Sequence, residues 1–193
     1  NFDLNRTFYH YLLDTVRYGM LRSQRLGDIV YRTKQDRNDD NDRKYFLLGD
    51  PALVLSFPKL VASIDSINNH PSSDSIRMKA LERASFKATV RDTATDNPVN
   101  FTGQAQVVVY DANKSIKLIA PEINSTMTYT ASGSIIFRGQ NSIKNGLLSS
   151  DFIVPKDIAY SDSPGRITIY FSNDSTDGAG FTNITVNGTN PDA

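Results

Sequence analysis

The hydrophobic period of this chain changes near residue 58, and that change constrains the fold more than any other feature. Before Pro58 the apolar residues follow helical spacing or stand in short unbroken runs; after it they alternate. Phe8, Leu12 and Val16, with Tyr11 and Thr15 alongside, mark one helix. Leu26, Ile29, Val30 and Thr33 mark a second, with Ser23 placed to cap it. That helix should stop before the run Asp36 to Arg43, where six of eight residues are Asp or Asn. Tyr45-Phe46-Leu47-Leu48 is apolar without alternation, as in a strand buried on both faces of a mostly parallel sheet. Gly49-Asp50-Pro51 breaks that run, and Leu53-Val54-Leu55 resumes it. Helix, helix and buried strand form an α/β pattern, but two helices and one such strand cannot cover each other's apolar faces. Residues 1–57 are therefore expected to be the α/β end of a larger domain.

From Pro58 onward the period is two. Ala62 and Ile64 alternate with Val61, Ser63 and Asp65, and Ile67 closes that segment. Phe86, Ala88 and Val90 face opposite to Lys87, Thr89 and Arg91, and Ala105, Val107 and Val109 share a face. Shorter candidates are Ile116–Leu118, Ile135–Phe137, Phe152–Val154, Ile167–Phe171 and Ile184–Val186. The turn signals Asp96-Asn97-Pro98, Asn145-Gly146, Pro164-Gly165 and Asp177-Gly178 punctuate the series. The pattern predicts a mainly β fold over residues 58–193, an antiparallel sandwich of immunoglobulin type, with a closed barrel as the structural alternative. Residues 53–61 contain no Gly or Ser run, which predicts a stiff junction between the two parts.

Composition removes several function classes. Lys plus Arg and Asp plus Glu are both 21, so the zero net charge gives no reason to expect a nucleic-acid partner. No apolar run reaches the ~18 residues that cross a bilayer, and the first residues do not form a signal peptide. There is no Cys, so the chain holds no disulfide, thiolate metal site or cysteine nucleophile. With only His10 and His70, a histidine-rich metal cluster is excluded as well. The start at Asn1 and the polar end at Ala193 suggest a piece of a longer protein.

Leu26 to Lys34, the Asn/Asp-rich loop, and Tyr45 to Leu53 form an ordered series with later segments. These are Phe137-Arg138-Gly139, Ile143 to Gly146, Phe152 to Tyr160, Gly165-Arg166-Ile167, Asp177 to Gly180 and Asn187-Gly188. The series resembles the gingipain family of caspase-like cysteine peptidases, in its sortase branch serving type IX secretion. The likeness is to the C-terminal end of the catalytic domain (residues 1–57) and the immunoglobulin-like domain behind it (residues 58–193). It implies that the parent is a cysteine endopeptidase, secreted or held at the outer membrane and cell surface of a bacterium. The family's catalytic His and Cys lie upstream of the matching region. No catalytic, cofactor-binding or metal-binding residue therefore carries over, and no cofactor is implied. The implied partners are the upstream peptidase domain of the same protein and the parent's protein substrates. The residues alone also fit an adhesin-like surface module with no enzymatic parent.

Other constellations have plain structural readings. Asp36, Asn38, Asp40 and Asp42 are spaced like the opening of a calcium loop, but the turn glycine is missing and the twelfth position is Leu47. A solvated loop is the expectation there, and also for Asp174, Asp177 and Gly178. Asp50 is placed to accept backbone N–H groups at the start of a turn. Asn-x-Ser/Thr sequons at Asn5, Asn113, Asn124, Asn173, Asn183 and Asn187 arise readily in a chain with 50 Asn, Ser and Thr residues. Phe2, Phe8, Tyr9, Tyr11 and Tyr18 cluster around the first helix, where packing against a missing sheet is the expected use.

Overall fold

A computed structural model of the chain describes residues 2–13, 24–55, 57–72, 77–120 and 125–190. The chain divides into two compact units, Asn1–Phe57 and Pro58–Ala193.

The first unit holds helices α1 (Phe2–Leu13) and α2 (Leu26–Asp36) and the short α3 (Asp40–Arg43). Tyr11 of α1 and Ile29 and Thr33 of α2 are buried, and the Tyr11 hydroxyl donates to the Asp36 carboxylate. Thr15, Val16 and Ser23 lie outside the described residues, and the residue at the N-cap position of α2 is Arg25, whose side chain makes no capping bond. The first N–H groups of a helix need acceptors from elsewhere. Here the N–H groups of Leu26 and Gly27 donate to the carbonyls of Leu53 and Pro51, each at 2.9 Å. The returning segment after Gly49 thus caps the helix with its backbone.

One expectation fails in this unit. Tyr45–Leu48 is not a strand, and Phe46 and Leu48 are 76% and 86% exposed. Leu53–Leu55 contributes a single antiparallel bridge, Arg25 to Val54. The reason is the absence of neighbours: among the described residues no strand lies beside Tyr45–Leu48, and an extended run without a ladder is left open to water.

The second unit contains strands β1 (Leu60–Ile67), β2 (His70–Pro71), β3 (Arg77–Ala80), β4 (Arg83–Asp92), β5 (Gly103–Tyr110), β6 (Lys114–Ala120), β7 (Ser125–Ala131), β8 (Ile135–Ile143), β9 (Leu147–Ile153), β10 (Pro164–Ser172) and β11 (Asp177–Thr189). Hydrogen bonding follows the path β8-β5-β10-β11-β1-β4-β9. Within it β8-β5-β10-β11 and β1-β4-β9 are antiparallel throughout. Their ladders join where β1 runs parallel to β11, at Leu60–Gly178 and Val61–Ala179. The result is an immunoglobulin-like sandwich of two sheets with one short strand crossing. At the opposite side β8 and β9 connect through the Lys144–Leu147 turn bridge and the Asn141 side-chain amide, which donates to the Ser149 carbonyl at 3.1 Å. Among the described residues no ladder closes that side, so the barrel alternative is not realised.

Alternation supplies the core. Ala84, Phe86, Ala88 and Val90 of β4 and Leu148 and Phe152 of β9 point inward, as do Ala105, Val107 and Val109 of β5 and Ile167, Ile169 and Phe171 of β10. Phe101 meets Phe171 edge-on at 5.0 Å, and Phe137 of β8 stacks on Phe152 of β9 at 4.5 Å. That ring pair seals the side where the ladder is missing. In β1 the register shifts between Ile64 and Ser66, which lets Ile67 return to the core three residues after Ile64. The crossing of β1 onto β11 depends on glycine: a Cβ at Gly180 would stand 2.0 Å from the Ala62 carbonyl oxygen, and one at Gly178 2.3 Å from the Phe171 ring. Asn145 (φ 52°) and Gly146 (φ 78°) form the two-residue turn predicted from their sequence.

Candidate functional site

The carboxylates of the Asp-rich run are not gathered around a common point. Asp36 accepts from Tyr11, and Asp40 pairs with Arg43 at 3.6 Å. Asp42 is fully buried with the Arg37 Nε at 3.8 Å, while Lys34 Nζ donates to the Asp42 carbonyl. The run is thus only partly the solvated loop expected from sequence. Asp42 turns inward because α3, formed inside the polar run, carries it back under α2. Among the described residues no group of three His, Asp or Glu side chains is arranged to hold a metal ion.

Asp50 behaves as a turn residue, its carboxylate accepting from the Ala52 N–H at 2.8 Å. His10 stands in α1 with its ring 5.8 Å from that of Tyr11, and His70 is exposed on β2. Asp177 accepts from the Tyr170 hydroxyl at 3.2 Å, and this hydrogen bond and the adjacent negative charge push the Tyr170 pKa up. Asp174 is exposed. Of the sequon residues, Asn5 and Asn183 are exposed. Asn173 folds its side chain into a turn, accepting from the Ser175 and Thr176 N–H groups at 3.0 Å each, and Asn187 donates to Asp162 at 2.8 Å. Asn124 and Tyr18 lie outside the described residues.

Sequence reasoning passed over Asp111, just beyond β5. The residue is 3% exposed, and its carboxylate accepts from the Ala112 N–H at 2.7 Å and the Ala159 N–H at 2.6 Å, tying residues 155–160 to the end of the sheet. An Asp directly after an apolar strand was the available signal. Asp92, at the end of β4, accepts from the backbone N–H groups of Thr95 and Ala94 and from the Thr95 hydroxyl, which lowers its pKa. The hairpin β6–β7 forms a separate two-stranded sheet, with Leu118, Ile119, Met127 and Tyr129 exposed. The first unit carries the other concentration of exposed apolar side chains: Tyr45, Phe46 and Leu48, then Leu53, Val54 and Leu55. A groove of about 220 Å³ beside them is lined by Leu4, Phe8, Val30, Tyr45, Phe46 and Leu47.

The chain is therefore an immunoglobulin-like sandwich behind a small helical unit whose apolar segments lack a sheet. No protein-family model matches it, and no curated protein matches it. Among solved structures it is similar to dimeric latent PorU from Porphyromonas gingivalis, with 27% identity and a TM-score of 0.65. That match covers 93% of this chain and 18% of PorU, so the chain spans less than a fifth of PorU. Looser matches are Spo0M, a sporulation control protein of Bacillus subtilis (TM-score 0.37, 9% identity, 69% of this chain and 50% of that one), and a conjugative transposon lipoprotein of Bacteroides eggerthii (TM-score 0.33, 6% identity, 65% and 96%). No described helix is long and apolar enough to cross a membrane.

Proposed function

We propose that this chain is a non-catalytic segment of a gingipain-type cysteine endopeptidase related to PorU and associated with type IX secretion. In this reading residues 1–57 end the catalytic domain, and residues 58–193 form the sandwich that stabilises and positions it. The observation that carries the reading is the PorU likeness, which extends over 93% of the chain at 27% identity. The motif series from Leu26 to Gly188 supports the same assignment.

The chemistry divides accordingly. A cysteine peptidase needs a thiolate and a base beside it. This chain has no thiol, so the parent's nucleophile comes from another part of the polypeptide. The contribution of residues 58–193 is mechanical, a rigid two-sheet body joined through a junction without a glycine run. Its placement at the bacterial surface, as a secreted or outer-membrane protein, follows from the same reading. The test is cleavage of type IX C-terminal signals by the full-length parent and by a parent lacking residues 58–193. The reading expects turnover by the first and a large loss in the second. A full-length protein whose upstream sequence has no Cys and His pair, and which cleaves nothing, would instead favour an adhesin-like module.

A further inference from the structure

We propose that the outer face of β8-β5-β10-β11 docks an extended acidic segment of a protein partner, with Arg138 and Arg166 receiving its carboxylates. The inference concerns residues 58–193 alone and does not depend on the peptidase reading. The ladders place the two arginines on one face. Arg138 lies opposite Val108, Val108 opposite Thr168, and Thr168 opposite Phe181. Two residues along β10, Arg166 lies opposite Tyr110 on one side and Asn183 on the other. Directly opposed residues point to the same side of a sheet, and the inner side is filled by Val107, Val109, Ile167 and Ile169. Both arginines are exposed. The other arginines of this unit each pair with an aspartate: Arg77 with Asp162, Arg83 with Asp151 and Arg91 with Asp65. Arg138 and Arg166 have no ion pair or hydrogen bond among the described residues. Asp177, the carboxylate these strands add to the same face, accepts from the Tyr170 hydroxyl at 3.2 Å. A chain of zero net charge thus keeps two uncompensated cations on one sheet face.

Arg166 is already oriented. Its guanidinium lies 5.3 Å from the centre of the Phe181 ring, and Phe181 is 68% exposed. A stacked guanidinium keeps its N–H edge free, and that edge matches a carboxylate with two parallel hydrogen bonds. The same stack covers a face of Phe181 that a sugar ring would need, which favours a carboxylate side chain over a glycan. Spacing defines the ligand further. Strands ~4.8 Å apart with ~3.3 Å per residue put the Cα atoms of Arg138 and Arg166 about 12 Å apart. Residues i and i+4 of an extended segment are ~13 Å apart and point to the same side. The line between the arginines passes over Val108 and Tyr110, so residue i+2 of the segment meets an apolar floor. The fitting sequence is acid, any residue, apolar, any residue, acid. An acidic polysaccharide and a second copy of the chain are the competing occupants and are outcomes of the test.

NMR titration of the 193-residue chain with the capped peptide Thr-Glu-Thr-Val-Thr-Glu-Thr reads the site directly. Amide shifts should concentrate at residues 108–110, 138 and 166–168, and binding should weaken as salt is raised. The same peptide with both Glu replaced by Gln should produce no shifts. Arg138→Gln and Arg166→Gln should each weaken binding about tenfold or more, with the melting midpoint unchanged because both side chains are exposed. Phe181→Leu keeps apolar cover and removes the ring, and should weaken binding about two- to fivefold. No shifts at about 1 mM peptide, or binding that survives both arginine substitutions, overturns the proposal. Tighter binding of oligogalacturonate at the same residues assigns the face to an acidic glycan and overturns it as well. So do shifts at these residues that grow with protein concentration in the absence of peptide, which would make a second copy the occupant.

Discussion

Replacing Asp111, a residue 3% exposed, by Ala removes a carboxylate that accepts two backbone N–H groups, from Ala112 and Ala159. Hydrogen bonds to a charged group contribute ~1.5–3 kcal/mol each, and a buried donor left without a partner costs a similar amount. The two sites differ. Ala112 is completely buried, so its N–H has nowhere to turn, whereas Ala159 is exposed and water can replace the lost acceptor. The net loss is therefore put at about 2–3 kcal/mol rather than the sum of two full bonds. For a domain of this size that lowers the melting midpoint by about 6–12 °C. Differential scanning calorimetry at neutral pH measures it, and hydrogen exchange should show the Ala159 amide losing protection before the sheet does. Asp111→Asn should recover less than half of the loss, because the amide nitrogen presents a donor to one of the two N–H groups. A loss below about 0.5 kcal/mol for Asp111→Ala would refute the reasoning, since that is the range of ordinary surface substitutions.

Gly180→Ala should destabilise the sandwich by about 2 kcal/mol or more in urea unfolding, because the new Cβ would meet the Ala62 carbonyl oxygen at 2.0 Å. Ser150 is 2% exposed, and its hydroxyl has no partner among the described residues, so Ser150→Ala should leave stability unchanged or raise it by up to about 1 kcal/mol. Asp92 has a pKa lowered from 3.8 by the N–H groups of Thr95 and Ala94. Its contribution is therefore present above pH 3.8 and is lost as the pH falls through the folded-state value. Asp92→Asn should flatten the acid limb of the stability profile, and an unchanged limb would show that the turn does not depend on the charge.

How much the sequence revealed varies with how directly each segment's side chains report their surroundings. The strands at Ser85–Arg91 and Ile167–Phe171 were legible because each alternates between buried and less buried positions, and Ala105, Val107 and Val109 keep one face of the third although Val108 is buried as well. β7 was not: Met127 and Tyr129 alternate with Thr, but the strand is exposed from Ser125 to Thr130, so no buried apolar face marks it in the sequence. β9 begins at Leu147, directly after the Asn145-Gly146 turn, several residues before the apolar cluster at Phe152 that marked it. Its inward Ser150 broke the pattern. Tyr45–Leu48 failed in the opposite sense, since composition reports what a segment is suited to, and a strand also needs neighbours to pair with. Asp42 and Asp111 show why buried carboxylates stay hidden in sequence. Nothing in an Asp-rich run marks which residue turns inward, and that is decided by the backbone groups and cations that the fold brings to it.

The proposed parent of this chain is a cysteine endopeptidase whose nucleophile lies outside residues 1–193. The most direct test compares turnover of a peptide substrate by the full-length protein, before and after thiol alkylation, with turnover by residues 1–193 alone. The account predicts activity in the full-length protein that alkylation abolishes, and none from the 193-residue chain. Turnover by the short chain, which has no thiol, or a full-length protein whose activity survives alkylation, would contradict it.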